Sequence, residues 1–180
     1  MRADAVRNRA KLVAAPAELF GARGLDVPLE HVAERAGVGI ATLYAHFPGR
    51  ADLLNAVVPD RLARTDHLVE RALSTEDPWA AFAGFLEGLF AMQADDPVLR
   101  DALANRVALS DEIAEICHRC HRASLAIVAR AQDAGALRPD FGPADLAALT
   151  TAVSQVLREA PDSWRRLLGY VLDGLRTGDG

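Results

Sequence analysis

The chain predicts an all-α fold: an N-terminal three-helix unit that carries a helix-turn-helix, joined to a larger helical unit. Three observations lead there. Apolar residues recur at three- and four-residue spacing along most of the chain, and no stretch alternates as a half-buried strand does. Asp-Pro and Ser-Asp steps and isolated glycines punctuate those runs where helices start and stop. Around Gly37, a helical run ends and a very short one restarts within three residues, the spacing of a helix-turn-helix. Apolar residues make up 51% of the sequence, ample for a buried core in 180 residues.

In chain order, a first helix is predicted over about Asp4 to Ala22, burying Val6, Leu12, Val13, Leu19 and Phe20, with Gly24 as its terminator. Pro16 lies inside it. A helix-interior proline removes one hydrogen bond and costs roughly 3 kcal/mol, so a kink or a restart is expected there. The second helix runs to Ala36 and opens at Val27-Pro28, with Pro28 at the first helical position. The third is short, and Leu43 and Phe47, four apart, pin it to the second. A long fourth helix, about Arg50 to Leu73, suits a connector. Asp77 caps the fifth, with Pro78 opening it, and Asp96-Pro97 repeats that grammar for the sixth. Ser110 caps a helix from about Asp111 to Ala134 that Gly135 stops. Pro139 to Pro143 forms a linker before a helix to about Ala160, and Asp162 or Ser163 caps the last, making about nine in all.

Net charge is −5, but it is unevenly spread. Residues 1–50 carry seven basic and five acidic side chains, whereas 51–180 carry thirteen and twenty. A locally positive N-terminal module on an acidic body fits contact with a polyanion, since only the field near the phosphates governs docking. No run of about 18 apolar residues is present to span a bilayer, and the first residues lack the apolar stretch of a signal peptide, so a cytoplasmic location is expected.

The segment Ala36 to Arg50 carries the most information. With Leu43 and Phe47 turned inward, Ile40, Ala41, Thr42, Tyr44, Ala45 and His46 occupy the outer side and edges of the third helix, where a recognition helix meets DNA. Ala36-Gly37-Val38, Leu43-Tyr44, His46-Phe47 and Arg50, with Leu19-Phe20, Arg23-Gly24 and Val32-Ala33 upstream, resemble the pattern of TetR-family transcriptional regulators over about residues 8–55. The resemblance implies a DNA-binding unit at 1–50 and a ligand-binding and dimerisation unit at 51–180. It also implies backbone contacts to double-stranded DNA from Thr42, Tyr44, His46 and Arg50. Those groups offer hydroxyl, imidazole and guanidinium donors to phosphate. Base contact then falls to Ile40, Ala41 and Ala45, which can lie against thymine methyl groups, with Arg2, Arg7 and Arg9 as an N-terminal arm.

For the larger unit the resemblance implies a homodimer and a small-molecule effector. The dimer face is expected on Leu146, Leu149, Val153 and Val156 of the eighth helix and on Trp164, Leu167, Leu168, Val171, Leu172 and Leu175 of the ninth. Pocket walls are expected from Phe82, Phe85, Leu86, Leu89 and Phe90, from Leu99 and Leu103, from Cys117, His121 and Ser124, and from Thr150 and Ser154. Such walls suit a largely hydrophobic molecule, although the two hydroxyls on the eighth helix can also bond back to carbonyls one turn earlier. Cys117-His118-Arg119-Cys120-His121 matches a haem-attachment string, but it sits within an amphipathic helix and no export signal accompanies it. An alternative reading makes Cys117, Cys120 and His121 a metal- or redox-sensing cluster. No nucleophile motif, phosphate loop or zinc-protease string is present, so neither catalysis, a cofactor nor a resident metal is expected.

Overall fold

The computed structural model describes residues 2–23, 27–103 and 110–178, and among these every element longer than an isolated bridge is a helix. The helices are α1 (Arg2–Arg23), α2 (Leu29–Ala36), α3 (Ile40–His46), α4 (Arg50–Ser74), α5 (Pro78–Asp95), α6 (Pro97–Leu103), α7 (Asp111–Asp133), α8 (Pro143–Glu159) and α9 (Trp164–Leu175). A single 3₁₀ turn, Pro161–Ser163, leads into α9. One backbone bridge, Leu137 with Arg176, ties the turn after α7 to the end of α9.

Local chemistry accounts for most boundaries. Gly37 ends α2 at φ 66°, and the amides of Gly37 and Val38 reach back to Glu34 and Ala33 at 3.0 Å each. A Cβ there would meet nothing, so it is the left-handed backbone and not lack of space that calls for glycine. The Asp77 carboxylate accepts from the Ala80 amide at 2.8 Å, and Asp96 accepts from Val98 and Leu99 at 3.1 and 3.2 Å. Pro28 stands one residue earlier than expected: it precedes α2, and its carbonyl accepts from the His31 and Val32 amides. Helix α1 is continuous across Pro16, with no restart. The terminator expected at Gly24 and the side chain of Phe20 lie outside the described residues.

Val6 is a correction. It is 70% exposed, because it lies six residues before the fully buried Leu12 and so about 120° around the helix from the face that packs. Leu12 and Ala15 are buried, and Val13 and Leu19 pack against the same core from its edge.

Two apolar clusters fill the molecule. The first gathers Leu12 and Ala15 of α1, Leu29, Val32, Ala33 and Ala36 of α2, Leu43, Phe47, and the first half of α4 through Leu62. Val98 and Leu99 of α6 and Ile113 of α7 complete it from below. The second joins Leu68, Val69 and Ala72 of α4 to α5, the C-terminal half of α7, α8 and α9. Helix α4 therefore belongs to both.

Polar ties fix that arrangement. Arg61 on α4 pairs with Asp96 at 3.0 Å in a mostly buried bridge, and Asp101 on α6 takes Arg158 of α8. Arg130 of α7 sends its guanidinium to the carbonyls of Leu73, Thr75 and Glu76, which closes the C-terminal end of α4 with a positive charge. Inside α4, Pro59 denies the Asn55 carbonyl its helical donor.

Close approach of α4 and α5 depends on Gly88, where an added Cβ would fall 2.4 Å from Leu68 Cδ1; at Gly84, one turn earlier, it would meet nothing. Alanine gains about 1 kcal/mol of helix propensity over glycine at either site. Overpacking costs about 1–3 kcal/mol at a closed site, so at Gly88 it outweighs that gain. Gly84→Ala is expected to raise the melting temperature and Gly88→Ala to lower it; thermal denaturation of the two variants that moved together would contradict this packing.

Candidate DNA-contacting face and ligand cavity

The third helix is anchored from beneath and open above. Leu43 and Phe47 are buried, while Ile40 (37% exposed), Tyr44 (45%), Ala41 and Ala45 face outward and Thr42 and His46 are half-buried. Its N-terminus is set by Gly39, whose carbonyl accepts from Thr42 and Leu43 at 2.9 and 3.1 Å. Arg9 of α1 stacks its guanidinium 5.5 Å from the centre of the Phe47 ring, so α1 grips the end of α3 through a cation–π contact. Arg7 pairs with Asp4 at 3.9 Å, both well exposed, and the Arg2 side chain lies outside the described residues. Arg50, at the first position of α4, donates to the Val27 carbonyl at 2.6 Å. That bond links the start of α4 to the segment before α2.

A cavity of about 490 Å³ opens between α4, α5, α7 and α8. One wall is apolar: Val69, Phe85, Leu89, Leu103 and Leu146. The other carries Thr65, Cys117, His118, Cys120, His121, Ser124, Thr150 and Thr151, with Ala114 and Ala147 between them. Burial pushes the thiols of Cys117 and Cys120 above the usual range, and at Cys117 the neighbouring thiol adds to the effect. Cys120 Sγ and Thr65 Oγ1 are 3.0 Å apart. On the outer side of α7 the Glu115 carboxyl is held below its ordinary range by its hydrogen bond with Arg122 at 3.1 Å.

Two family models match the chain. "Bacterial regulatory proteins, tetR family" matches residues 12–57, and "Transcriptional regulator SbtR-like, C-terminal domain" matches 77–177, more than half of the sequence. The chain belongs to the TetR family. A solved TetR transcription regulatory protein from Mycobacterium vanbaalenii is 34% identical, with 98% of this chain and 99% of that one covered at a TM-score of 0.54. A gamma-butyrolactone receptor, 20% identical, shares the fold over 96% of this chain and 90% of its own at a TM-score of 0.69. Among curated relatives, the uncharacterised HTH-type transcriptional regulator TtgW of Pseudomonas putida is 32% identical over 80 residues, 44% of this chain and 60% of that protein. The chain matches less than two thirds of the length of the curated relatives.

Within this TetR-family chain, the residues expected from sequence divide clearly. Phe85, Leu89, Leu103, Cys117, His121, Ser124 and Thr150 line the cavity. Phe82, Leu86 and Phe90 are buried deeper in the second core, a turn away on α5, and do not line it. Leu99 packs in the first core beneath α1 and α4, because α6 turns that side toward the N-terminal helices. Ser154 is wholly buried, with its Oγ 2.8 Å from both Gln93 Oε1 and the Thr150 carbonyl, and its single proton serves one of the two. Thr65, Val69, Ala114, His118, Cys120, Ala147 and Thr151 were not anticipated, and Leu146, expected on the dimer face, also lines the cavity. On α7 the signal was available, since 114, 117, 118, 121 and 124 follow helical spacing; on α4 it was hidden by reading that helix as a connector.

On α8 and α9, Leu146, Val153, Trp164, Leu168 and Leu175 are buried in the chain's own core. Leu149, Val156, Leu167, Val171 and Leu172 are half-buried, and Tyr170, not anticipated, is 67% exposed. The alternative of a sensing cluster at Cys117, Cys120 and His121 is not supported. Among the described residues no three His, Cys, Asp or Glu side chains group to hold a metal ion, and raised thiols are poor ligands and nucleophiles. No described helix is long and apolar enough to cross a membrane.

Folding favours the protonated form of both thiols, so the stability they contribute is present below the ordinary thiol pKa and is lost as pH rises through the raised value. Iodoacetamide labelling of the folded chain is expected to have its midpoint above that of free cysteine; a midpoint at or below it would refute the burial argument.

Proposed function

We propose that the chain is a homodimeric repressor that holds a palindromic operator through α3 and releases it when a small, largely hydrophobic molecule enters the cavity. The observation that carries this reading is the family membership together with an α3 whose inner residues are locked and whose outer side is open. Thr42, Tyr44, His46 and Arg50 contact phosphates, and Ile40, Ala41 and Ala45 lie in the major groove. Because these three make no bidentate base contact, DNA shape and the arginines of α1 supply part of the discrimination. Residues 1–50 form the DNA-binding unit and 51–180 the ligand-binding and dimerisation unit, with the first half of α4 packed under both. The protein acts in the cytoplasm, and dimerisation uses the half-buried leucines and valines of α8 and α9 with Tyr170.

The route from cavity to operator runs through α6 and α4. Leu103 of α6 borders the cavity, whereas Val98 and Leu99 of the same helix sit in the core under α1 and α4. Thr65 and Val69 of α4 border the cavity too, and Leu53, Leu54, Val57 and Val58 carry the three N-terminal helices. A ligand that favours a shifted α6 moves the recognition helices of both protomers out of register with successive grooves. A typical coupling of about 1–3 kcal/mol lowers operator affinity roughly 5- to 150-fold, and the operator weakens the ligand by the same factor.

Selection of binding sites from random duplexes tests the reading: a palindrome is expected, with half-sites about 34–36 Å apart or a multiple of that. On the recovered duplex, Tyr44→Phe is expected to lower affinity by about tenfold, uniformly across sequences, because it removes a donor to a charged acceptor. Binding should also weaken steeply with salt. A chain with no duplex affinity at low salt contradicts the proposal.

A further inference from the structure

The hydroxyls that line the cavity are already committed as donors. Thr65 donates to the Leu62 carbonyl at 2.6 Å, Ser124 to Cys120 at 2.8 Å, Thr150 to Leu146 at 2.9 Å and Thr151 to Ala147 at 3.0 Å. A hydroxyl has one proton and two lone pairs, so each of these presents only acceptor capacity to a guest. With the Thr65 proton on Leu62, the Cys120 thiol is the donor in the 3.0 Å contact between them, and it is engaged as well. Of the remaining polar lining, Cys117 is a weak donor, and the imidazoles of His118 and His121 take either role according to tautomer. Among the described lining residues there is no Asp, Glu, Lys or Arg.

From this we infer that the ligand is a neutral, largely apolar molecule carrying hydroxyl groups, with its own O–H protons directed at the hydroxyl oxygens of Thr150, Thr151 and Ser124. The inference rests on the cavity being the effector site and names the chemistry of what enters it. An anion brings acceptors to a wall whose fixed groups are acceptors. A cation finds no carboxylate among the described lining residues, and burying either charge without a partner is costly. The apolar side of the molecule meets Val69, Phe85, Leu89 and Leu146, and a cavity of about 490 Å³ holds a compound of two rings.

Three matched probes separate the possibilities on the purified full-length chain by calorimetry: 4-phenylphenol, its O-methyl ether 4-methoxybiphenyl, and biphenyl-4-carboxylate. The phenol is expected to bind about tenfold or more tightly than the ether, which keeps the oxygen but loses the proton, with the carboxylate weakest. In the double variant Thr150→Val, Thr151→Val that preference should shrink several-fold while ether binding holds; retention of the full preference there would remove α8 from the assignment. Should the double variant fail to fold, the wild-type ratio alone decides. An ether as tight as the phenol, a carboxylate tighter than either, or no binding by any of the three overturns the inference. The effector reading is tested separately, by adding each probe to the chain on its selected duplex. A phenol that binds the chain but leaves the duplex bound refutes the effector role and leaves the ligand class standing.

Discussion

Helix α4 has to satisfy two hydrophobic cores with one rigid rod. Its first half, from Leu53 to Leu62, forms the floor on which α1, α2 and α3 sit; its second half, from Leu68 to Ala72, forms one side of the larger core. Pro59 leaves the Asn55 carbonyl without its helical donor, but α4 stays one continuous helix from Arg50 to Ser74, so its two halves are joined through it. Whatever the larger core does to Leu68 and Val69 is therefore imposed on Leu53 and Leu54. The placement of α3 and the shape of the cavity are thus not separate design problems in this chain.

The polar contacts make sense against that constraint. Asp96 ends one helix and begins another while holding Arg61, so α4 cannot slide past the junction of α5 and α6 without giving up that ion pair. Asp101 and Arg158 hold the other side of α6 to α8. Ion pairs this poorly exposed lose much of their Coulombic gain to desolvation, and their value lies in choosing one relative position of the helices. Gly88 contributes by a different means, leaving the space that the Leu68 side chain of α4 occupies against α5.

Local grammar was legible in the sequence, and neighbours were not. Gly37, Asp77-Pro78 and Asp96-Pro97 could be read because cap and turn chemistry acts within four residues. The inward position of Leu43 and Phe47 followed from spacing alone. Val6 failed because its periodicity was assigned without knowing how far along α1 the packing begins. Leu99 and the residues of α8 and α9 that the chain's own core buries were not legible for a related reason: an apolar stripe announces that something covers it, but whether that cover is a ligand, a second copy or the chain itself depends on tertiary placement. Arg130 left no trace at all in the sequence, since the carbonyls it holds are more than fifty residues away.

Arg130 carries one more implication, mechanical in kind. By clamping Leu73, Thr75 and Glu76 it fixes the distal end of α4 as a fulcrum. The rod has 25 residues, a length of about 37 Å, and a tilt of about 5° at the fulcrum sweeps its Arg50 tip through about 3 Å. A rearrangement of about 1.6 Å at mid-span thus emerges, doubled by the lever, as a displacement comparable to a hydrogen bond's full length at the tip.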